Sequence, residues 1–87
     1  MTGSMALLEE LQRRGFTPDE GGEDWFDLDI SRRTVRVALD DNQVTVYVMS
    51  DYATDWQVTC SDNNPLNVTL AVIDLAIAHA ATASKGA

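Results

Sequence analysis

The stretch Phe26-Asp27-Leu28-Asp29-Ile30-Ser31-Arg32-Arg33-Thr34-Val35-Arg36-Val37-Ala38-Leu39 decides the fold. Phe26, Leu28 and Ile30 alternate with two aspartates. After a turn at Ser31-Arg32-Arg33, Val35, Val37 and Leu39 alternate with Thr34, Arg36 and Ala38. A period of two marks strands with one apolar and one polar face. The pattern continues downstream. Asp40-Asp41-Asn42-Gln43 supplies the next turn, from residues that hydrogen-bond their own backbone and tolerate unusual φ. Val44, Val46 and Val48 then alternate with Thr45, Tyr47 and Met49. After a loop over Ser50–Thr54, a fourth run alternates Trp56, Val58 and Cys60 with Gln57 and Thr59. Connections this short favour an antiparallel meander, because parallel neighbours need a crossover of about a dozen residues.

Helical patterns flank these strands. Upstream, Met5 to Arg14 places Met5, Leu7, Leu8 and Leu11 on one side, with Glu9 and Arg13 spaced for an i,i+4 pair. Gly15 is the expected stop, with Phe16 folding back as in a Schellman end. Thr17–Asp24 reads as a polar loop. Downstream, Asn64 and Pro65 signal a helix start. The segment Pro65–Thr82 is apolar nearly all round: twelve of its eighteen residues are Ala, Val, Ile or Leu. Asn67 and Asp74 mark its narrow wet strip. The fold expected is α+β: helix, four-stranded antiparallel meander, helix, with both helices on one face of the sheet. It forms a single α-β-β-β-β-α domain over residues 5–84, and Met1-Thr2-Gly3-Ser4 are set aside as a disordered or adventitious start.

Composition narrows the function. The chain has 87 residues and a formal net charge of −8, which argues against nucleic-acid backbones and anionic membranes as direct partners. The last helix, broken by Asp74 and His79, falls short of the ~20 apolar residues needed to span a bilayer. Cys60 is the only cysteine, so no disulfide forms within one copy, and a reducing, cytoplasmic setting without a signal peptide is expected. His79 is the only histidine, and its helical neighbours Leu75, Ala76 and Val72 offer no carboxylate or nucleophile. The carboxylates of Asp40-Asp41-Asn42 and of Asp19, Glu20, Glu23 and Asp24 lack the spacing of a calcium loop. No catalytic residue, metal site or cofactor is expected.

Two surfaces stand out. An all-round apolar helix in so short a chain calls for cover from outside, so a homo-oligomer, most simply a dimer, is expected. Its contacts would come from Val68, Val72, Leu75 and His79 on the helix, or from Trp56 and Val58 on the uncharged fourth strand. The first strand, with its alternating aspartates, reads as the guarded edge. The outward sheet face carries Trp25, Asp27, Asp29, Arg36, Tyr47 and Met49, a candidate patch for an unidentified protein partner. Asp27 or Asp29 opposite Arg36 would form a cross-strand pair.

The order of elements is similar to that of the double-stranded RNA-binding domain, whose second helix begins at a basic cluster. Here Asp62-Asn63-Asn64-Pro65-Leu66-Asn67 contains no Lys or Arg, which argues against that mode of binding. In being acidic and α+β the chain is also similar to small dimeric secretion-chaperone-like domains, a resemblance that implies holding protein segments. The function expected is a small, acidic, non-catalytic module that sequesters or modulates a protein. The alternative is an acidic decoy for a nucleic-acid-binding protein, which needs Asp27, Asp29, Asp40 and Asp41 on one surface.

Overall fold

The computed structural model describes residues 2–20, 24–40, 42–50, 53–61 and 63–86. Helix α1 (Thr2–Arg13) precedes strands β1 (Thr17–Pro18), β2 (Trp25–Ile30), β3 (Arg33–Leu39), β4 (Gln43–Met49) and β5 (Thr54–Ser61), and helix α2 (Leu66–Gly86) ends the chain. All strand pairs are antiparallel, in the order β1-β2-β3-β4-β5. The sheet thus has five strands rather than the four expected. The segment read as a polar loop contributes β1, with Thr17 opposite Asp27 and Pro18 opposite Phe26. Two residues are too few to show an alternation. Pro18 is tolerated because an edge strand can leave one side unpaired.

The alternating valines lie where their spacing puts them. Val35, Val37, Val46 and Val48 are fully buried, and Val44 nearly so. They form one core with Leu7, Leu11 and Phe16 from the α1 end and with Ile73, Ala76 and Ala80 of α2. Both helices therefore cover the same face of the sheet. The hairpin between β2 and β3 is tighter than read: Ile30 faces Arg33 directly, and Ser31 and Arg32 alone form the loop. Ser31 takes φ 55, a left-handed conformation that a primed two-residue turn requires.

Helix α1 ends as its sequence suggests. The Phe16 N–H donates to the Leu11 carbonyl and the Gly15 N–H to that of Gln12, both at 3.0 Å, the paired bonds of a Schellman motif. Gly15 has φ 94, where a Cβ is strained, although an added Cβ would meet only Leu28 Cδ1, at an ordinary 3.5 Å. Gly15→Ala should therefore cost about 1–2 kcal/mol from the backbone alone. Urea titration would show this as a lower midpoint with an unchanged slope.

The charge pairing on α1 differs from the expected Glu9–Arg13. Glu10 takes both arginines, Arg13 at 3.2 Å and Arg14 at 2.6 Å. Arg14 also donates to both oxygens of Asp74, at 2.7 and 3.1 Å, and so ties α1 to α2. Asp74 thus faces the neighbouring helix rather than marking a purely wet strip. The hydrogen bond from Arg14 holds the Asp74 carboxyl below the usual carboxylate range. A folded-state pKa below the unfolded one gives stability that is complete above the ordinary carboxylate pKa. That stability is lost as pH falls through the depressed value. Asp74 is 56% exposed, so the contribution is that of a surface pair. Asp74→Asn should cost about 0.5 kcal/mol at neutral pH and nothing in acid, measurable as converging denaturation midpoints.

Candidate functional site

Strand register arranges the outward sheet face in rows. Trp25, Ala38, Thr45 and Thr59 form one row across β2 to β5. Thr17, Asp27, Arg36, Tyr47 and Gln57 form the next, and Asp29, Thr34, Met49 and Thr54 the third. The six residues singled out for partner binding, Trp25, Asp27, Asp29, Arg36, Tyr47 and Met49, therefore share one face that neither helix covers. Not all of that face is wet. Ala38 and Thr45 are buried. Thr45 also shares a hydrogen bond of 3.2 Å with Thr59.

Arg36 organises the centre. Its Nε and Nη2 donate to the two carboxylate oxygens of Asp27, at 2.8 and 3.0 Å, and Asp19 lies 3.6 Å from Nη2. The guanidinium sits 4.6 Å from the centre of the Trp25 ring, within cation–π range. Its pKa is raised, chiefly by the hydrogen bond to Asp27. Asp29 does not join this cluster, and accepts instead from the Thr34 hydroxyl at 2.8 Å. A shallow depression of about 370 Å³ lies beside the cluster, lined by Pro18, Asp19, Asp27, Asp29, Arg36 and Met49. Asp19 was missed by the sequence reading because it sits just past β1, in the segment taken as loop. Of the four aspartates a nucleic-acid decoy would need, Asp27 is neutralised by Arg36. Asp40 lies beyond the end of β3, and Asp41 is outside the described residues.

The second surface is on the helical side. Inward positions of α2, from Thr69 through Ile73, Ala76 and Ala80, recur at helical spacing and are buried. The opposite flank carries Val68, Ala71, Val72, Leu75, Ala78 and His79. Val68 is 43% exposed and Leu75 59%, while Val72 is half-buried against the core. On a helix of 3.6 residues per turn, Val68, Val72, Leu75 and His79 point away from Asp74 and so away from α1, whereas Ala71 and Ala78, three before and four after Asp74, lie on its side. His79 stacks on Trp56 of β5, with ring centres 6.2 Å apart and planes 18° from parallel. The two sets named for self-association, on the helix and on the strand, thus meet at one corner of the molecule.

β5 is an edge of the sheet, as its sequence suggested, with Val58 half-buried and Cys60 buried. The opposite edge is β1, not the aspartate-bearing strand expected there, and β2 is paired on both sides. Asp55 falls at an irregularity in the β4–β5 register and lies 3.4 Å from Arg33. Among the described residues no group of three or more His, Cys, Asp or Glu side chains is placed to hold a metal ion. No described helix is long and apolar enough to cross a membrane. Comparison of the chain with protein-family models, with curated proteins and with solved structures finds no match.

Proposed function

We propose that this chain is a small, non-catalytic protein-binding module of the cytoplasm that works as a homodimer. It would sequester or modulate a protein held against the outward sheet face around Trp25, Arg36, Tyr47 and Met49. The observation that carries this reading is the helical-side corner. There the uncovered apolar flank of α2 adjoins β5, whose outer side is unpaired among the described residues. Monomeric proteins guard their sheet edges and rarely expose contiguous apolar patches without a use for them. Self-association at this corner, through the helix flank or the open edge of β5, would leave the sheet face free. An unpaired Cys60 agrees with a reducing compartment.

A folded dimer in equilibrium with unfolded monomers gains stability by mass action. For two 87-residue chains, a hundredfold rise in protein concentration should raise the melting temperature by about 7 °C. A melting temperature that stays fixed over that range would contradict the homodimer.

A further inference from the structure

We infer that two copies join through β5, pairing antiparallel about a two-fold axis at Val58 that runs perpendicular to the sheet. This inference rests on the homodimer reading above and specifies its geometry. The product is one continuous ten-stranded sheet with all four helices on the same side.

The pairing follows from which backbone groups are free. The Leu39 N–H donates to the Asp24 carbonyl, toward β2, and the Asp40 N–H to the Gln43 carbonyl, toward β4, each at 2.9 Å. Backbone groups alternate sides along a strand. Gln43, Thr45 and Tyr47 therefore turn theirs to β3, and Val44, Val46 and Val48 turn theirs to β5. The register partners Cys60, Val58 and Trp56 bond back to β4. Gln57, Thr59 and Ser61 remain, facing the open edge. The Ser61 carbonyl already accepts from the Asn64 N–H at 3.1 Å as the chain turns away. Among the described residues, Gln57 and Thr59 are thus the pair with both groups free. Opposing Gln57 to Thr59 of the second copy, and the reverse, makes four hydrogen bonds and puts Val58 on the axis. Trp56 then faces Cys60 of the second copy on the helical side. Like pairs with like in this arrangement, so inward side chains stay inward in both copies.

Charge selects a second copy as the occupant. The chain carries −8, so two copies repel through most of their surfaces. From Trp56 to Ser61 there is no charge, and Val68, Val72 and Leu75 on the α2 flank are apolar. Asp55 is the one charge on β5, and Arg33 offsets it. Lying three residues from the axis, it would stand ~20 Å from its copy, beyond the screening length of ~8 Å. A basic partner would be drawn to the carboxylates of the outward face instead. The other edge is unsuited to pairing, being two residues long and including Pro18.

The same geometry separates the helices. α2 packs over β3 and β4, about two strand spacings from the axis, so the two α2 axes would stand ~17–20 Å apart. Direct helix packing needs 8–10 Å. Leu75 therefore lies outside the strand interface.

Nuclear Overhauser contacts in the wild-type protein decide the matter. Within one copy Trp56 and Cys60 are ~13 Å apart along β5, too far for a contact between their backbone protons. A Trp56–Cys60 contact is expected, from the second copy. Gln57→Pro should halve the particle mass while preserving the circular dichroism spectrum, because that N–H faces the edge. Leu75→Glu should leave the dimer intact. A dimer that lacks the Trp56–Cys60 contact, survives Gln57→Pro and is lost on Leu75→Glu would overturn β5 pairing but keep the homodimer. A wild-type monomer at every concentration would overturn both. Should Gln57→Pro fail to fold, presence of the wild-type contact still supports the pairing and its absence from a dimer overturns it.

Discussion

Ile73→Ala is expected to destabilise the protein by about 3 kcal/mol, within the 2–5 kcal/mol typical of deleting a fully buried aliphatic side chain. Ile73 is completely buried, on the α2 face that meets the strand valines. Deletion removes apolar contact and leaves a space that packed neighbours fill only in part. A chain of this length has a total stability of about 4–13 kcal/mol, so the loss is a large share of it. At fixed protein concentration the melting temperature should fall by roughly 10–20 °C. Ile73→Val should cost only about 1 kcal/mol. A negligible effect of Ile73→Ala would mean that α2 does not pack on the sheet by this face.

Arg36→Ala should be the costliest change on the outward face, at about 2 kcal/mol. Arg36 and Asp27 are each less than a quarter exposed, so their paired bonds are worth more than a surface ion pair. The truncation leaves Asp27 near Asp19 without the shared cation and removes the charge stacked on Trp25. Arg36→Lys should recover only part of the loss, because an ammonium cannot form the planar two-bond fork. Chemical denaturation of the three proteins at neutral pH checks the order. Equal stability of Arg36→Lys and the parent would show that charge alone matters, not the fork.

Much of the framework was legible in residue spacing. Alternation of β-branched and polar residues located β2 to β5 and put the correct valines inward, because a one-residue slip would expose them all. Gly15 followed by Phe16 announced the end of α1. β1 left no such trace, since two residues cannot alternate and Pro18 reads as a break. On α2, the sequence set Val68, Val72, Leu75 and His79 apart as one stripe, and packing leaves Val68 and Leu75 exposed while Ile73, equally apolar, is fully buried. Asp74 was read as a solvent marker because its partner, Arg14, lies sixty positions away. For the outward face, strand parity alone sufficed to gather the six residues, and the cross-strand partner of Arg36 proved to be Asp27. The joining of Asp19 to that cluster depended on the unread β1. The meeting of Trp56 and His79 depended on how α2 lies over the sheet, which spacing does not encode.

A dimer built on the uncharged corner should also respond to salt in a definite sense. Two copies of −8 repel, and screening removes that penalty while leaving backbone pairing and apolar contact in place. Association should strengthen from low to physiological salt, the reverse of a contact between opposite charges. The measurement that bears most directly on the homodimer is absolute mass in solution, by light scattering after size exclusion over a range of concentrations at physiological salt. A particle of twice the 9.5 kDa chain mass is expected. A particle that remains at 9.5 kDa at every concentration would contradict it.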